Sequence, residues 1–139
     1  MRSTLVTDTG VVYSALDPRE PEHAQCVELL RLADVAVALP ATVITETCLL
    51  AYSRRNPKAI AALLESVEDE TVLVVDLDRE DYRRVRELIE RYSDLPLDIV
   101  DASVVAIAER LEETTIATLD RRHFSVVKPV HCEAFTLVP

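Results

Sequence analysis

The chain has 139 residues, of which 25 are acidic and 15 are basic, so its formal net charge is −10. It contains a single glycine, Gly10, which excludes a Walker phosphate loop and a dinucleotide-binding fingerprint, because each motif needs at least two glycines. The acidic surplus argues against nucleic-acid binding by bulk charge, but it leaves open a chain that concentrates some of its acids in one place.

The length and the cysteines predict one reduced domain over residues 1–139, with no repeats or linkers. Cys26, Cys48 and Cys132 are odd in number and lack metal-ligand spacing, which is typical of a reduced cytosolic protein. No apolar run approaches the ~20 residues that span a bilayer, and residues 1–10 carry no signal-peptide core. We therefore expect a cytoplasmic protein without membrane contact.

Short apolar runs alternate with helical patterns along the chain. In chain order, the predicted elements are a strand at 5–7, helices at 10–16 and 22–34, a strand at 35–39, helices at 42–54 and 57–68, a strand at 71–75, helices at 79–92 and 98–113, a strand at 115–119, and a tail strand at 134–138. This alternation predicts an α/β fold around a parallel sheet of four to five strands. Ligands of such sheets bind outside the carboxyl ends of the strands.

Two predicted strands lead into an aspartate at their carboxyl ends. Asp8 follows the apolar run at 5–7, and Asp120 follows the run at 115–119. Each aspartate also suits an ordinary structural role as a helix N-cap or a loop residue. Taken together, however, they mark one edge of the predicted sheet as a candidate site.

Two further acids lie on helices that are otherwise apolar. Glu46 belongs to a helix that is apolar almost all round, which predicts burial, and a buried glutamate must be paired or bound to a cation. A position at the rim of the helix is the alternative. Asp101 precedes Val104 and Val105 on an apolar stripe. Asp98 lies three residues earlier, and the helix dipole by itself would favour both aspartates in a first turn.

The four carboxylates suggest a chemistry when they are considered as a group. If the fold brings them together, they repel one another unless a cation lies between them. Hard oxygen ligands suit Mg²⁺ or Mn²⁺. Such an ion activates a bound water and stabilises charge on a phosphoryl oxygen. The residues therefore favour metal-dependent hydrolysis of a phosphodiester.

The chain resembles the PIN-domain ribonucleases, in particular the VapC-type toxins of bacterial toxin–antitoxin pairs. The matching segments are 6–9 (VTDT), 45–46 (TE), 100–103 (VDAS) and 118–124 (TLDRRHF). The resemblance extends along the chain in the family's order, and the four segments together are more specific than any one alone. It implies a three-layer α/β/α fold, a divalent-metal site that uses Mg²⁺ or Mn²⁺, and endonucleolytic cleavage of RNA.

The resemblance also implies roles for individual residues and partners. The catalytic metal ligands would be Asp8, Glu46, Asp101 and Asp120. Asp98 would be an additional outer ligand, and the hydroxyls of Thr9 and Thr118 would orient the acids or their waters. His123 departs from the family, because many relatives carry another acid there, and this leaves one or two metals open. The expected partners are a second copy of the chain and a small antitoxin whose C-terminal segment blocks the site.

Local positive charge is needed for an RNA substrate even on an acidic protein. The candidate phosphate contacts are Arg54, Arg55 and Lys58, which follow the Glu46 helix, and Arg121, Arg122 and Lys128, which follow Asp120. Each of them also fits an ordinary solvated surface position.

Three other functions remain open from the sequence. A receiver-like signalling domain also has acids at strand ends, with Asp76 as the phosphoacceptor and the pair Lys128–Pro129 in support. A haloacid-dehalogenase-like phosphatase would begin at Asp8, but its second aspartate is replaced by Gly10. A non-catalytic PIN scaffold is the third, and the presence of all four main acids argues against it.

Overall fold

The computed structural model describes residues 3–32 and 34–139, and over these residues the chain forms five strands and seven helices. The strands are β1 (Ser3–Thr7), β2 (Val35–Pro40), β3 (Val72–Val75), β4 (Thr115–Ala117) and β5 (Thr136–Val138). The helices are α1 (Thr9–Leu16), α2 (His23–Leu30), α3 (Ala41–Ser53), α4 (Pro57–Glu68), α5 (Arg79–Arg91), α6 (Ile99–Arg110) and α7 (Arg121–Val126).

The five strands form one sheet in the order β3-β2-β1-β4-β5, and every neighbouring pair is parallel. The central strand β1 pairs with β2 on one side and with β4 on the other. Helices flank this sheet, which confirms the predicted α/β/α fold with a parallel sheet. Because β1 and β4 are neighbours, the segments that leave their carboxyl ends lie side by side.

The central elements are buried on all sides, as their unbroken apolar runs predict. Leu5, Val6 and Thr7 of β1 are buried, and so is every residue of α6 from 100 to 108. The second helix with an apolar circumference, α3, differs from the expectation. Its buried residues are Val43, Thr47 and Ala51, whereas Leu49 and Tyr52 are 63% and 77% exposed, so one face of α3 is open to solvent.

Three helices differ from those predicted. The helix predicted at 98–113 ends at Arg110. The helix predicted at 22–34 ends at Leu30, and Ala33 lies outside the described residues. The short helix α7 was not predicted. It begins after Asp120, which accepts a hydrogen bond from the backbone N–H of His123 at 3.1 Å, and it is held to the core by Phe124, which is 1% exposed. Across residues 3–32 and 34–139, every helix is too short or too polar to cross a lipid bilayer.

Candidate metal centre

An open cavity of about 570 Å³ lies at the carboxyl edge of β1 and β4. Its lining residues are Asp8, Thr9, Gly10, Glu46, Leu50, Asp98, Asp101, Leu119, Asp120 and His123. The fold therefore brings together all five acids that the sequence singled out. The cause is topological: two acids follow adjacent central strands, and α3 and α6 carry the other three to the same edge.

Asp8 is held rigidly between β1, α1 and β4. One carboxylate oxygen, Oδ1, accepts the backbone N–H of Thr9 at 2.9 Å and so caps α1. The other, Oδ2, accepts the hydroxyl of Thr118 at 3.0 Å. The pKa of Asp8 is raised to about 6, chiefly by burial and to a smaller extent by the nearby carboxylates of Glu46 and Asp120, while its two hydrogen bonds act in the opposite direction. Asp8 is therefore both a helix cap and a buried acid whose negative charge is disfavoured.

Asp98 and Asp101 form the acidic start of α6. Oδ1 of Asp98 accepts the backbone N–H of Asp101 at 2.8 Å, so Asp98 caps the helix. Asp101 is 9% exposed in the first turn of a helix that is otherwise core. The pKa of Asp101 is raised to about 7, chiefly by burial and then by the negative charges of Asp98 and Asp8, while the charge of His123 lowers it. A helix cap explains Asp98, but helix capping does not explain a buried carboxylate beside it.

Asp120 and His123 complete the cavity from α7. Asp120 uses Oδ1 to cap the helix, as described above, and its Oδ2 lies 2.7 Å from Nδ1 of His123. The same ring nitrogen lies 3.4 Å from Oδ2 of Asp101. Neither approach is aligned as a hydrogen bond, and among the described residues this buried nitrogen has no hydrogen-bond partner. His123 therefore lies beside both Asp101 of α6 and Asp120, which follows β4.

These donors fit a divalent cation. One ligand atom each from Asp101, Asp120 and His123 lie within 4.8 Å of one another. The hydroxyl of Thr9 is buried at the cavity and has no hydrogen-bond partner among the described residues. Converging buried carboxylates with raised pKa values and unused polar atoms are what a cation would satisfy.

The closest three-residue group is not the one expected from the sequence, because it includes His123. Asp8, Glu46 and Asp98 line the cavity around that group. By sequence alone, His123 is a departure from the family pattern. Its spacing of three residues after Asp120 was the available signal, because these positions share a face only if a helix begins at Asp120.

Some of the candidate RNA contacts already bind other groups of the protein, and others have no ion-pair partner. Arg54 pairs with Glu20 and lies over the ring of Tyr13, with 4.8 Å from its Cζ to the ring centroid. Arg121 donates to the backbone carbonyls of Leu137 and Pro139. Of these candidates, Arg55, Lys58, Arg122 and Lys128 are exposed and have no ion-pair partner in the described part of the chain.

The strand order does not suit the receiver-like alternative. In the sheet, β2 separates β1 from β3, so Asp76 at the end of β3 is two strands away from Asp8. Asp76 is exposed and does not line the cavity. A phosphoacceptor would have to lie among the acids that surround it, and Asp76 does not.

A parallel α/β sheet with a carboxylate cavity at the ends of its central strands matches one family. The chain matches the PIN domain over residues 5–129, and it belongs to the PIN-domain family. It is 28% identical over 135 residues to Ribonuclease VapC26 of Mycobacterium tuberculosis (strain ATCC 25618 / H37Rv), which covers 97% of this chain and 100% of that protein.

Solved structures share the fold at lower sequence identity. The crystal structure of Mycobacterium tuberculosis VapC20, a Sarcin-Ricin loop cleaving toxin, superposes with a TM-score of 0.81 at 18% identity, covering 92% of this chain and 98% of that one. VapBC2 from Rickettsia felis, bound to a DNA fragment from its promoter, gives a TM-score of 0.68 at 14% identity, with 98% and 99% covered. At these identities the likeness establishes the PIN fold.

Proposed function

We propose that the protein is a divalent-metal-dependent endoribonuclease and the toxin component of a toxin–antitoxin pair. Membership of the PIN family and the identity with Ribonuclease VapC26 support a nuclease. The observation that carries the proposal is the convergence of Asp8, Asp101 and Asp120 in one cavity, two of them with raised pKa values.

The cation would be held by Asp8, Glu46, Asp101 and Asp120, with Asp98 as an outer ligand. When bound, Mg²⁺ or Mn²⁺ supplies a water of lowered pKa and stabilises negative charge on a phosphoryl oxygen.

The protein's own side chains set the geometry of this reaction. Asp8 cannot rotate freely, because both of its oxygens accept hydrogen bonds. Thr118 also accepts the backbone N–H of Asp120 at 2.9 Å, so one hydroxyl fixes the positions of two acids. Glu46 is only partly buried, and its longer side chain therefore keeps the freedom to adjust to a substrate. The unused hydroxyl of Thr9 is available to hold a water or a phosphate oxygen.

RNA would approach through exposed cations on the segments that follow the cavity residues in the chain. Arg55 and Lys58 follow α3, and Arg122 and Lys128 lie on or after α7. Electrostatic contact with phosphates from these positions needs no base recognition. The proposed location is the cytoplasm, where such an RNA substrate would be met.

The proposed protein partners are an antitoxin and a second copy of the chain. The VapBC2 assembly and a toxin-antitoxin complex from Klebsiella pneumoniae, which has a TM-score of 0.64 at 16% identity, share this fold. A net charge of −10 favours a basic antitoxin segment. The exposed Leu49 and Tyr52 on α3 supply apolar surface for self-association, which sedimentation or light scattering would detect.

The test is cleavage of total RNA by the purified protein with Mg²⁺ or Mn²⁺, repeated with a chelator and with Asp8→Asn and Asp101→Asn. We expect cleavage that requires the metal and is lost in both variants. Asp76→Asn is the matched control, because it removes an exposed aspartate outside the cavity.

Other outcomes would contradict the proposal in distinguishable ways. Unchanged cleavage by Asp8→Asn and Asp101→Asn would reject the site. A wild-type protein that cleaves no RNA would favour the non-catalytic scaffold. Stoichiometric labelling of Asp76 by a phosphodonor would favour the receiver.

A further inference from the structure

The imidazole of His123 has the spacing of a metal ligand. Its Nδ1 lies 2.7 Å from Oδ2 of Asp120 and 3.4 Å from Oδ2 of Asp101. Two adjacent ligands of an octahedral ion, with bonds of ~2.1 Å, lie about 3 Å apart. The two measured distances bracket that separation, so a small adjustment would seat one ion against all three side chains.

The same nitrogen contacts these carboxylates as an ion pair only if the ring is protonated. It is buried, and in the part of the chain that the structure describes it has no aligned hydrogen-bond partner. A neutral imidazole protonated at Nε2 directs the lone pair of Nδ1 at carboxylate oxygens, and burial makes that repulsion more costly. A cation between the three atoms converts the repulsion into attraction. His23 shows the contrast, since its Nδ1 has a partner at 2.8 Å in the carbonyl oxygen of Ser14.

The backbone holds the imidazole in this position. The N–H of His123 is bound by the capping carboxylate of Asp120, and the adjacent side chain of Phe124 is 1% exposed in the core. The backbone of His123 is thus held on both sides, by a helix cap and by the core packing of its neighbour. The approach to the acids is a consequence of how α7 is built, and a surface rotamer would not keep it.

We infer that His123 is a direct ligand of the divalent cation, through Nδ1, and that the site therefore selects a first-row transition-metal ion over Mg²⁺. The inference rests on the metal site of the proposed function. Mg²⁺ binds oxygen ligands and gains little from imidazole, whereas the affinity of mixed nitrogen–oxygen sites rises along the transition series.

The test uses the full chain loaded with Mn²⁺ in the absence of RNA. Pulsed electron paramagnetic resonance detects the ¹⁴N of a coordinated imidazole, and calorimetry measures the Kd for Mn²⁺ and for Mg²⁺. We expect nitrogen coupling in the wild type, its loss in His123→Asp, and a fall of about tenfold in the preference for Mn²⁺ over Mg²⁺. The control His23→Asn should keep both signals, because His23 lies outside the cavity.

Parallel measurements distinguish a failure of this inference from a misfolded variant and from a failure of the proposed nuclease function. Circular dichroism checks that His123→Asp folds, and His123→Ala is the second variant. The inference is overturned if the metal-loaded wild type shows no nitrogen coupling, whatever the variants show. It is also overturned if the coupling survives in both His123→Asp and His123→Ala. RNA cleavage without nitrogen coupling would leave the nuclease proposal standing and reject the ligand. Nitrogen coupling without cleavage of any RNA would keep His123 as a metal ligand and reject the nuclease proposal.

Discussion

The hydroxyl of Thr118 donates a hydrogen bond of 3.0 Å to Oδ2 of Asp8, across 110 positions of sequence. The hydroxyl donates here because an ionised carboxylate oxygen can only accept, and the hydroxyl oxygen in turn accepts the backbone N–H of Asp120 at 2.9 Å. Thr118 is 1% exposed, so the contact is shielded from water. One threonine therefore sets the separation between the acids that follow β1 and β4.

Thr118→Val should lower metal affinity and cleavage by about 10–100-fold, since the substitution keeps the shape of the side chain and removes the hydroxyl that orients Asp8. It should also cost about 1–2 kcal/mol in the free energy of unfolding, because two buried groups lose a partner. Calorimetry with Mn²⁺ and chemical denaturation measure the two effects. Thr118→Ser should restore most of both, and an equally defective serine variant would show that packing, rather than the hydroxyl, matters.

The metal-free protein should lose stability as the pH rises from about 4 to about 7. The folded pKa values of Asp8 and Asp101 are about 6 and about 7, above their ordinary value of 3.8. The folded state therefore holds more protons than the unfolded state in this window, and stability falls by up to about 1.4 kcal/mol per pH unit for each proton retained. The neighbours that face these carboxyls are Glu46, Asp98, Asp120 and His123.

Denaturation at a series of pH values checks this slope. Arg19 holds the pKa of the Asp17 carboxyl well below the usual range. Asp17 therefore makes stability rise with pH at lower pH values, and the denaturation series should stay above pH 4. Saturating Mn²⁺ should flatten the slope, since a bound cation favours the charged carboxylates. A stability that rises between pH 4 and pH 7 without metal would contradict the proposed burial of these acids.

Asp101→Asn should abolish cleavage while making the metal-free protein more stable at pH 8. The amide keeps the size of the carboxylate and removes a charge that burial and Asp98 disfavour. We expect a gain of about 1 kcal/mol after screening by solvent. Urea denaturation in chelator measures it, with the exposed Asp76→Asn as the neutral control. A loss of stability at pH 8 would mean that Asp101 contributes to folding through its charge.

Phe124→Ala should destabilise the protein by about 3–5 kcal/mol, because a fully buried aromatic side chain leaves a cavity. Phe124 also anchors α7, so metal affinity should fall with stability. Val126→Ala on the same helix is the matched control: Val126 is 55% exposed, and its loss should change stability by less than about 0.5 kcal/mol. Thermal unfolding compares the two, and equal effects would show that α7 is not held by Phe124.

Arg54 and Arg55 are adjacent but should respond differently to alanine. Arg55→Ala should weaken RNA binding and lower the slope of log affinity against log salt by about one phosphate contact, with little effect on folding. Arg54→Ala should cost about 0.5–1 kcal/mol of stability, since it removes the contacts with Tyr13 and Glu20. Filter binding at several salt concentrations, alongside thermal unfolding, separates the roles. Identical salt slopes for both variants would count against Arg55 as a phosphate contact.

Much of the candidate site could be predicted because its residues stand out locally. Asp8 and Asp120 follow apolar strand runs, and Asp101 interrupts an apolar helix, so each is visible without knowing what lies opposite it. His123 was not visible in this way, because its relation to Asp120 depends on α7, a helix of six residues. Helices that short draw little stability from their own sequence and form here because Asp120 caps one end and Phe124 packs beneath.

The sequence by itself determined the parallel α/β fold and the acids that its strand ends and buried helices carry, because burial and periodicity act within each segment. Only the tertiary structure decided which of these acids meet. The order β3-β2-β1-β4-β5 sets β4 beside β1 and moves Asp76 to the distance of two strands from Asp8. The packing of α7 against α6 also places the imidazole of His123 beside Asp101. Such contacts depend on strand order and helix packing, which no local pattern encodes.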